Sequence, residues 1–174
     1  VEARQHVRVE QQLLEHLRDS IPNTVMFFIA FLAIGRYWMA NHYFVGLLRA
    51  IDARFTVLVL IYLAFVAFLP FPSALMGRFS ENAVAVSMFA VTVAAVSLME
   101  TVLIWRAHND DLFASPLTEE SARWNIIGSA SPVLFFLLSV PVMFVSTWAG
   151  MAVWALSWPF GIVVDRMRPE GTVD

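Results

Sequence analysis

Between Trp124 and Val164 the chain carries 41 consecutive residues without a charged side chain. As a helix rising about 1.5 Å per residue, that run would extend about 60 Å, twice the hydrocarbon core of a bilayer. It therefore reads as two crossings joined by a tight turn near Ser146, Thr147 and Gly150. A water-soluble domain cannot hide such a run. The rest of the sequence agrees, with 59% apolar and 14% charged residues where soluble domains hold about 45–50% and about 25%. The expected fold class is all-α, a polytopic transmembrane helical bundle.

Two further uncharged runs, Phe55 to Gly77 and Asn82 to Met99, and the apolar stretch Pro22 to Leu48 with Arg36 in its middle raise the count to five spans. They are expected at about 22–48, 55–72, 83–105, 122–146 and 149–164, within a single transmembrane domain covering 21–174. Ahead of it, Val9, Leu13, Leu14 and Leu17 share a helical face, so 1–20 reads either as an amphipathic helix on the outer leaflet or as a linker. Ser20 with Pro22 starts the first span, and Ser115 with Pro116, ahead of Glu119 and Glu120, starts the helix of the fourth. Leu69-Pro70-Phe71-Pro72 removes two backbone donors and is expected to end the second span. Trp105, Trp124, Trp148 and Trp158 fall near span ends, where indole rings favour the headgroup level. The segment 106–123 reads as a hydrophilic loop.

Five spans put the two termini on opposite sides. The 49–54 turn, the 106–123 loop and the tail carry Arg49, Arg54, Arg106, Arg123, Arg166 and Arg168, against Arg4, Arg8, Arg18 and Arg78 elsewhere. The positive-inside bias places the first set, and the C-terminus, in the cytoplasm.

Ionisable residues at membrane depth are functional candidates by default. Arg36 lies near mid-span, while His42 and Glu100 lie at a similar depth, near the cytoplasmic ends of their helices. Arg36 and Glu100 are candidates for an intramembrane charge pair. Trp38 and His42 are one turn apart and share a face, whereas Arg36 projects about 160° from Trp38. That helix needs protein or water on two sides. In the third span Ala83, Ser87, Ala90, Ala94, Ser97 and Thr101 form a small-residue stripe that lets helix backbones approach closely, either within one subunit or between subunits.

Several classes of function are disfavoured. The four histidines show no pair at ligand spacing, no cysteine is present to bind zinc or act as nucleophile, and no catalytic motif or phosphate-binding loop occurs. No metal, cofactor or enzymatic activity is expected, and a net charge of −3 disfavours a nucleic-acid partner. Neither a Thr-Val-Gly-Tyr-Gly filter loop nor a broken-helix pair is visible.

The stretch Ile34-Gly35-Arg36-Tyr37-Trp38-Met39-Ala40-Asn41-His42, then Phe44 and Leu47-Leu48-Arg49, and later Leu69-Pro70-Phe71-Pro72-Ser73-Ala74-Leu75-Met76-Gly77-Arg78, resembles the bacterial branch of the transmembrane protein 175 potassium-channel family. The resemblance covers about residues 12–106, and the remainder by helix count alone. It implies a potassium-permeable channel in the inner (plasma) membrane, homotetrameric, with six helices per subunit. The family's first helix carries an Arg-x-x-x-Phe-Ser-Asp motif and lines the pore. The five spans here correspond to the second to sixth, so the pore helix is expected to precede Val1, which would make both termini cytoplasmic. Trp38 and His42 match the positions that hydrogen-bond the Phe-Ser-Asp region, and Val59 stands where the family often has Asn. No residue matches the filter. The alternatives are a proton-coupled or small-solute transporter and a non-conducting membrane scaffold subunit. Reversal potentials in potassium gradients separate the channel from the transporter, and a scaffold carries no current.

Overall fold

The computed structural model describes residues 13, 17–18, 21, 24, 28, 31–32, 34–35, 37–115 and 118–167. Within these the molecule is helical, with an isolated antiparallel bridge between Leu48 and Phe113 and no strand. The helices are α1 (37–46), α2 (Ala53–Phe68), α3 (Pro70–Arg78), α4 (Ala83–Asn109), α5 (Glu119–Met143) and α6 (Thr147–Met167). Among the described residues, four segments are long and apolar enough to cross a membrane: Ala53–Arg78, Ala83–Asn109, Glu119–Met143 and Thr147–Val164. The chain is a multi-pass membrane protein. Part of the first expected span, including Arg36, and most of 1–20 lie outside the described residues; Leu13, Leu17 and Arg18 are helical.

Local chemistry sets the helix starts. The Asp52 carboxylate accepts from the Phe55 amide at 2.6 Å, and Asn82 Oδ1 accepts from the amides of Val84 and Ala85 at 3.0 and 3.2 Å. Each satisfies donors that the first helical turn leaves orphaned. At α5 the cap is Thr118, whose hydroxyl accepts from the Ser121 amide at 3.1 Å, with Glu119 and Glu120 in the first turn. The start expected at Ser115 therefore sits at Thr118. The α4 helix continues to Asn109, which confines the hydrophilic loop to 110–118.

The Leu-Pro-Phe-Pro element also behaves differently from expectation. Leu69 keeps right-handed helical dihedrals (φ −50°, ψ −37°), and α3 starts at once with Pro70, so the helical run reaches Arg78 and does not stop at 72. A proline in a first helical turn lacks only a donor that would have been unpaired anyway. The two prolines start a new helix here.

α4 is the centre of the bundle and packs against α2, α3 and α5. Its buried positions include Val86, Ala90, Val93, Ala94, Val96, Leu103 and Ala107. By contrast α2 buries the single stripe Phe55, Tyr62 and Val66, continued by Leu69 at the junction with α3, and α5 and α6 leave most of their apolar surface outward. The small-residue stripe of α4 is used inside the chain. Ser87 donates to Met143 Sδ at 3.5 Å, and the Thr101 and Ser129 hydroxyls lie 3.0 Å apart, both contacts reaching α5. At the α5–α6 turn the backbones come so close that a Cβ at Gly150 would run into the Met143 side chain and sit 3.1 Å from its Cα.

The two ends of the bundle are tied separately. At one, Arg49 donates its amide to Leu112 O at 2.8 Å, Ala114 to Leu47 O at 2.9 Å, and the Arg106 guanidinium meets Asp52 and Asp110 at 3.0 Å each. At the other, Thr147 Oγ1 donates to Glu81 O at 3.1 Å. The 49–54 turn and the 110–118 loop thus share an end, as the alternation of spans requires.

Candidate functional site

α1 has two chemically different sides. Tyr37 and Phe44, with Ile34 and Leu47 just outside 37–46, pack on the core formed by α2, α4 and Phe113. Phe44 meets the Phe113 ring edge-on at 6.0 Å between centroids and the Phe55 ring at 6.3 Å. Tyr62, almost wholly buried on α2, donates its hydroxyl to Tyr37 O at 3.2 Å and fixes α1 to α2. The loop residue Phe113 is 7% exposed, so the loop wedges into the helices as well as bonding to the turn.

On the opposite side, the Trp38 indole and the His42 imidazole stack with centroids 5.2 Å apart and planes 11° from parallel. The four-residue spacing puts both rings on one face. Both are exposed, Trp38 at 55%. The pair presents an indole donor and an imidazole that can donate or accept, beside the exposed Met39. Stacking fixes the direction in which those groups point, so a partner helix would meet a preformed polar edge on an apolar surface. Arg36 lies outside the described residues.

Glu100 projects from α4 toward the inner side of α1. It lines a cavity of about 320 Å³ with Ala40, Tyr43, Phe44, Ile104 and Phe113 on one side and Asn125, Gly128, Ser129 and Pro132 of α5 on the other. A second recess of about 50 Å³, shared by Ala40, Asn41, Phe44, Tyr62, Glu100, Leu103 and Ile104, lies next to it. The structure brings Trp38 and His42 together and separates them from Glu100, which belongs to the interior of the bundle. No group of three or more metal-ligating side chains occurs among the described residues.

Neither charge nor motif in the sequence singles out Asn41, Tyr62 or Asn125 as site residues. Asn41 Oδ1 is buried with no hydrogen-bond partner. Asn125 is 8% exposed and lines the larger cavity. A signal existed. A carboxamide inside an otherwise apolar span needs a partner as much as a charge does, and such residues merit the same scrutiny.

Comparisons with known proteins bear out the resemblance read from the sequence. Residues 1–70 match the family described as endosomal/lysosomal potassium channel TMEM175. A protein of Streptomyces collinus named as a potassium channel is 27% identical over 130 residues, which cover 72% of this chain and 63% of that relative. No solved structure matches the chain.

Proposed function

We propose that the chain is a subunit of a potassium-permeable channel, and that the outward face of Trp38 and His42 supports a pore-lining helix that precedes Val1. The observation that carries this reading is the stacked, exposed polar pair on α1, backed by an α1 whose other side is packed on α2, α4 and Phe113. The potassium-channel family matched over residues 1–70 and the relative named as a potassium channel support the channel part of this reading. A hydrophobic constriction opens and closes over small changes in radius. Residues that hold its lining helix would therefore govern the open fraction, while ion preference would be set elsewhere.

In this reading the assembly is a homotetramer in the cell's inner (plasma) membrane with the C-terminus in the cytoplasm. The core of each subunit is the α2–α6 bundle, and Arg36 and Glu100 form a structural intramembrane pair. Its test is reconstitution of the full-length protein in liposomes with a potassium gradient. Currents that reverse near the potassium equilibrium potential are expected. Current that reverses with the proton gradient would favour a transporter, and absence of current at every voltage would favour a scaffold; either outcome overturns the channel reading.

A further inference from the structure

The cavity between α1, α4 and α5 combines three observations that an empty apolar space would not. First, it is large. At about 320 Å³ it exceeds the roughly 30 Å³ that one water occupies in the liquid several-fold. Second, polar groups converge on it: Glu100, Asn125 and Ser129 from the α4–α5 side and Tyr43 from α1. Third, a buried carboxamide oxygen beside it has no protein partner: Asn41 Oδ1 is fully buried and unbonded, and Asn41 lines the adjoining recess with Glu100, while Asn125, more than nine-tenths buried, lines the cavity itself. Hydrocarbon cannot supply the donor this oxygen lacks, and leaving it bare in a dry space is costly.

We infer that this cavity is a water-filled crevice inside the subunit, separate from any conducting pore, which carries bulk water from the end of the 110–118 loop to Glu100. Its position fits that role. Phe113 and Ile104 line it near the loop, and Glu100 lies nine residues before the end of α4, about 13 Å along the helix axis. Water in the crevice donates to Asn41 Oδ1, bonds both ends of the Asn125 carboxamide and solvates Glu100 beside whatever else that carboxylate binds. The existence of the crevice does not depend on the channel reading.

The protein contains no cysteine, so single introduced thiols report directly on water access. Only the thiolate reacts with a charged methanethiosulfonate reagent, and a thiol held in hydrocarbon keeps its proton. In the full-length protein in lipid nanodiscs, Ser129→Cys and Ala40→Cys probe opposite walls of the crevice. Ser115→Cys in the exposed loop marks free access, and Leu134→Cys, 57% exposed on the outer surface of α5, marks lipid. A small cationic methanethiosulfonate is expected to modify at least one of the two wall thiols about 100-fold faster than Leu134→Cys, because a thiol pKa raised by two or more in lipid lowers the reactive fraction by that factor. Variants are compared only if they elute at the wild-type volume, and the two walls are independent of each other. Ser129→Cys and Ala40→Cys both reacting as slowly as Leu134→Cys, while Ser115→Cys reacts fast, would overturn the inference.

Discussion

α1 and α4 lie against each other and both hold polar residues within the membrane, but they use them in opposite ways. α4 turns its hydroxyls inward: Ser87 bonds Met143, Thr101 bonds Ser129, and Ser97 is 3% exposed. α1 turns its most distinctive pair, Trp38 and His42, outward as a preformed stack. A polar group buried inside one chain is a device of packing, because its partner is already present. A polar pair held rigid on an exposed face asks for a partner from elsewhere. The difference separates the residues that build the subunit from those that the proposed function uses.

That contrast can be broken by substitutions that should be felt on one helix and not on the other. The largest loss is expected for Leu103→Ala, at the 2%-exposed centre of the α4 packing against α1 and α2. Removing those methyl groups should cost about 2–5 kcal/mol of subunit stability, read as a lower midpoint in a detergent unfolding titration. Next comes Gly150→Ala, whose Cβ meets the Met143 side chain at the α5–α6 turn. Overpacking there should cost about 1–3 kcal/mol, and a thermal shift assay should detect it. If Gly150→Ala were neutral, the close approach of those backbones would be wrong.

Smaller effects sharpen the picture. Thr101→Val removes one interhelical hydroxyl contact with Ser129, and such contacts average about 0.6 kcal/mol within membranes. Arg106→Met removes the link between Asp52 and Asp110, carboxylates that are 48% and 45% exposed. Water and salt screen it, so a loss of about 1 kcal/mol or less is expected, shrinking further as salt rises. A loss independent of salt would indicate that Arg106 acts through packing and not through charge.

Much of this architecture is legible in the sequence because hydrocarbon imposes a simple rule. The uncharged run from Trp124 to Val164 had to fold back on itself, and it does so at the turn between Met143 and Thr147. The one-face relation of Trp38 and His42 follows from helical spacing alone. What escaped depends on local detail that composition does not encode. Proline at 70 reads as a stop, yet Leu69 holds helical dihedrals and the prolines open α3. Ser115 and Thr118 are both plausible caps, and only the bond to the Ser121 amide decides between them. The crevice was hidden for another reason. Its polar lining comes from α1, α4 and α5 together, and no single stretch of sequence displays it.

The claim most in need of a direct test is that the outward pair on α1 positions a pore helix. Trp38 and His42 contribute a stack worth about 0.5–1.5 kcal/mol and lie on an exposed face, so neither His42→Ala nor Trp38→Phe should unfold the isolated subunit. Their effect should instead appear in the assembled channel, since a shift of about 1 kcal/mol between open and closed states changes the open-to-closed ratio roughly fivefold. Single-channel recording of both variants in the full-length protein is the decisive measurement. The account predicts an altered open probability with potassium-over-sodium selectivity unchanged. Unchanged open probability with altered selectivity would contradict it and assign these two residues to the filter.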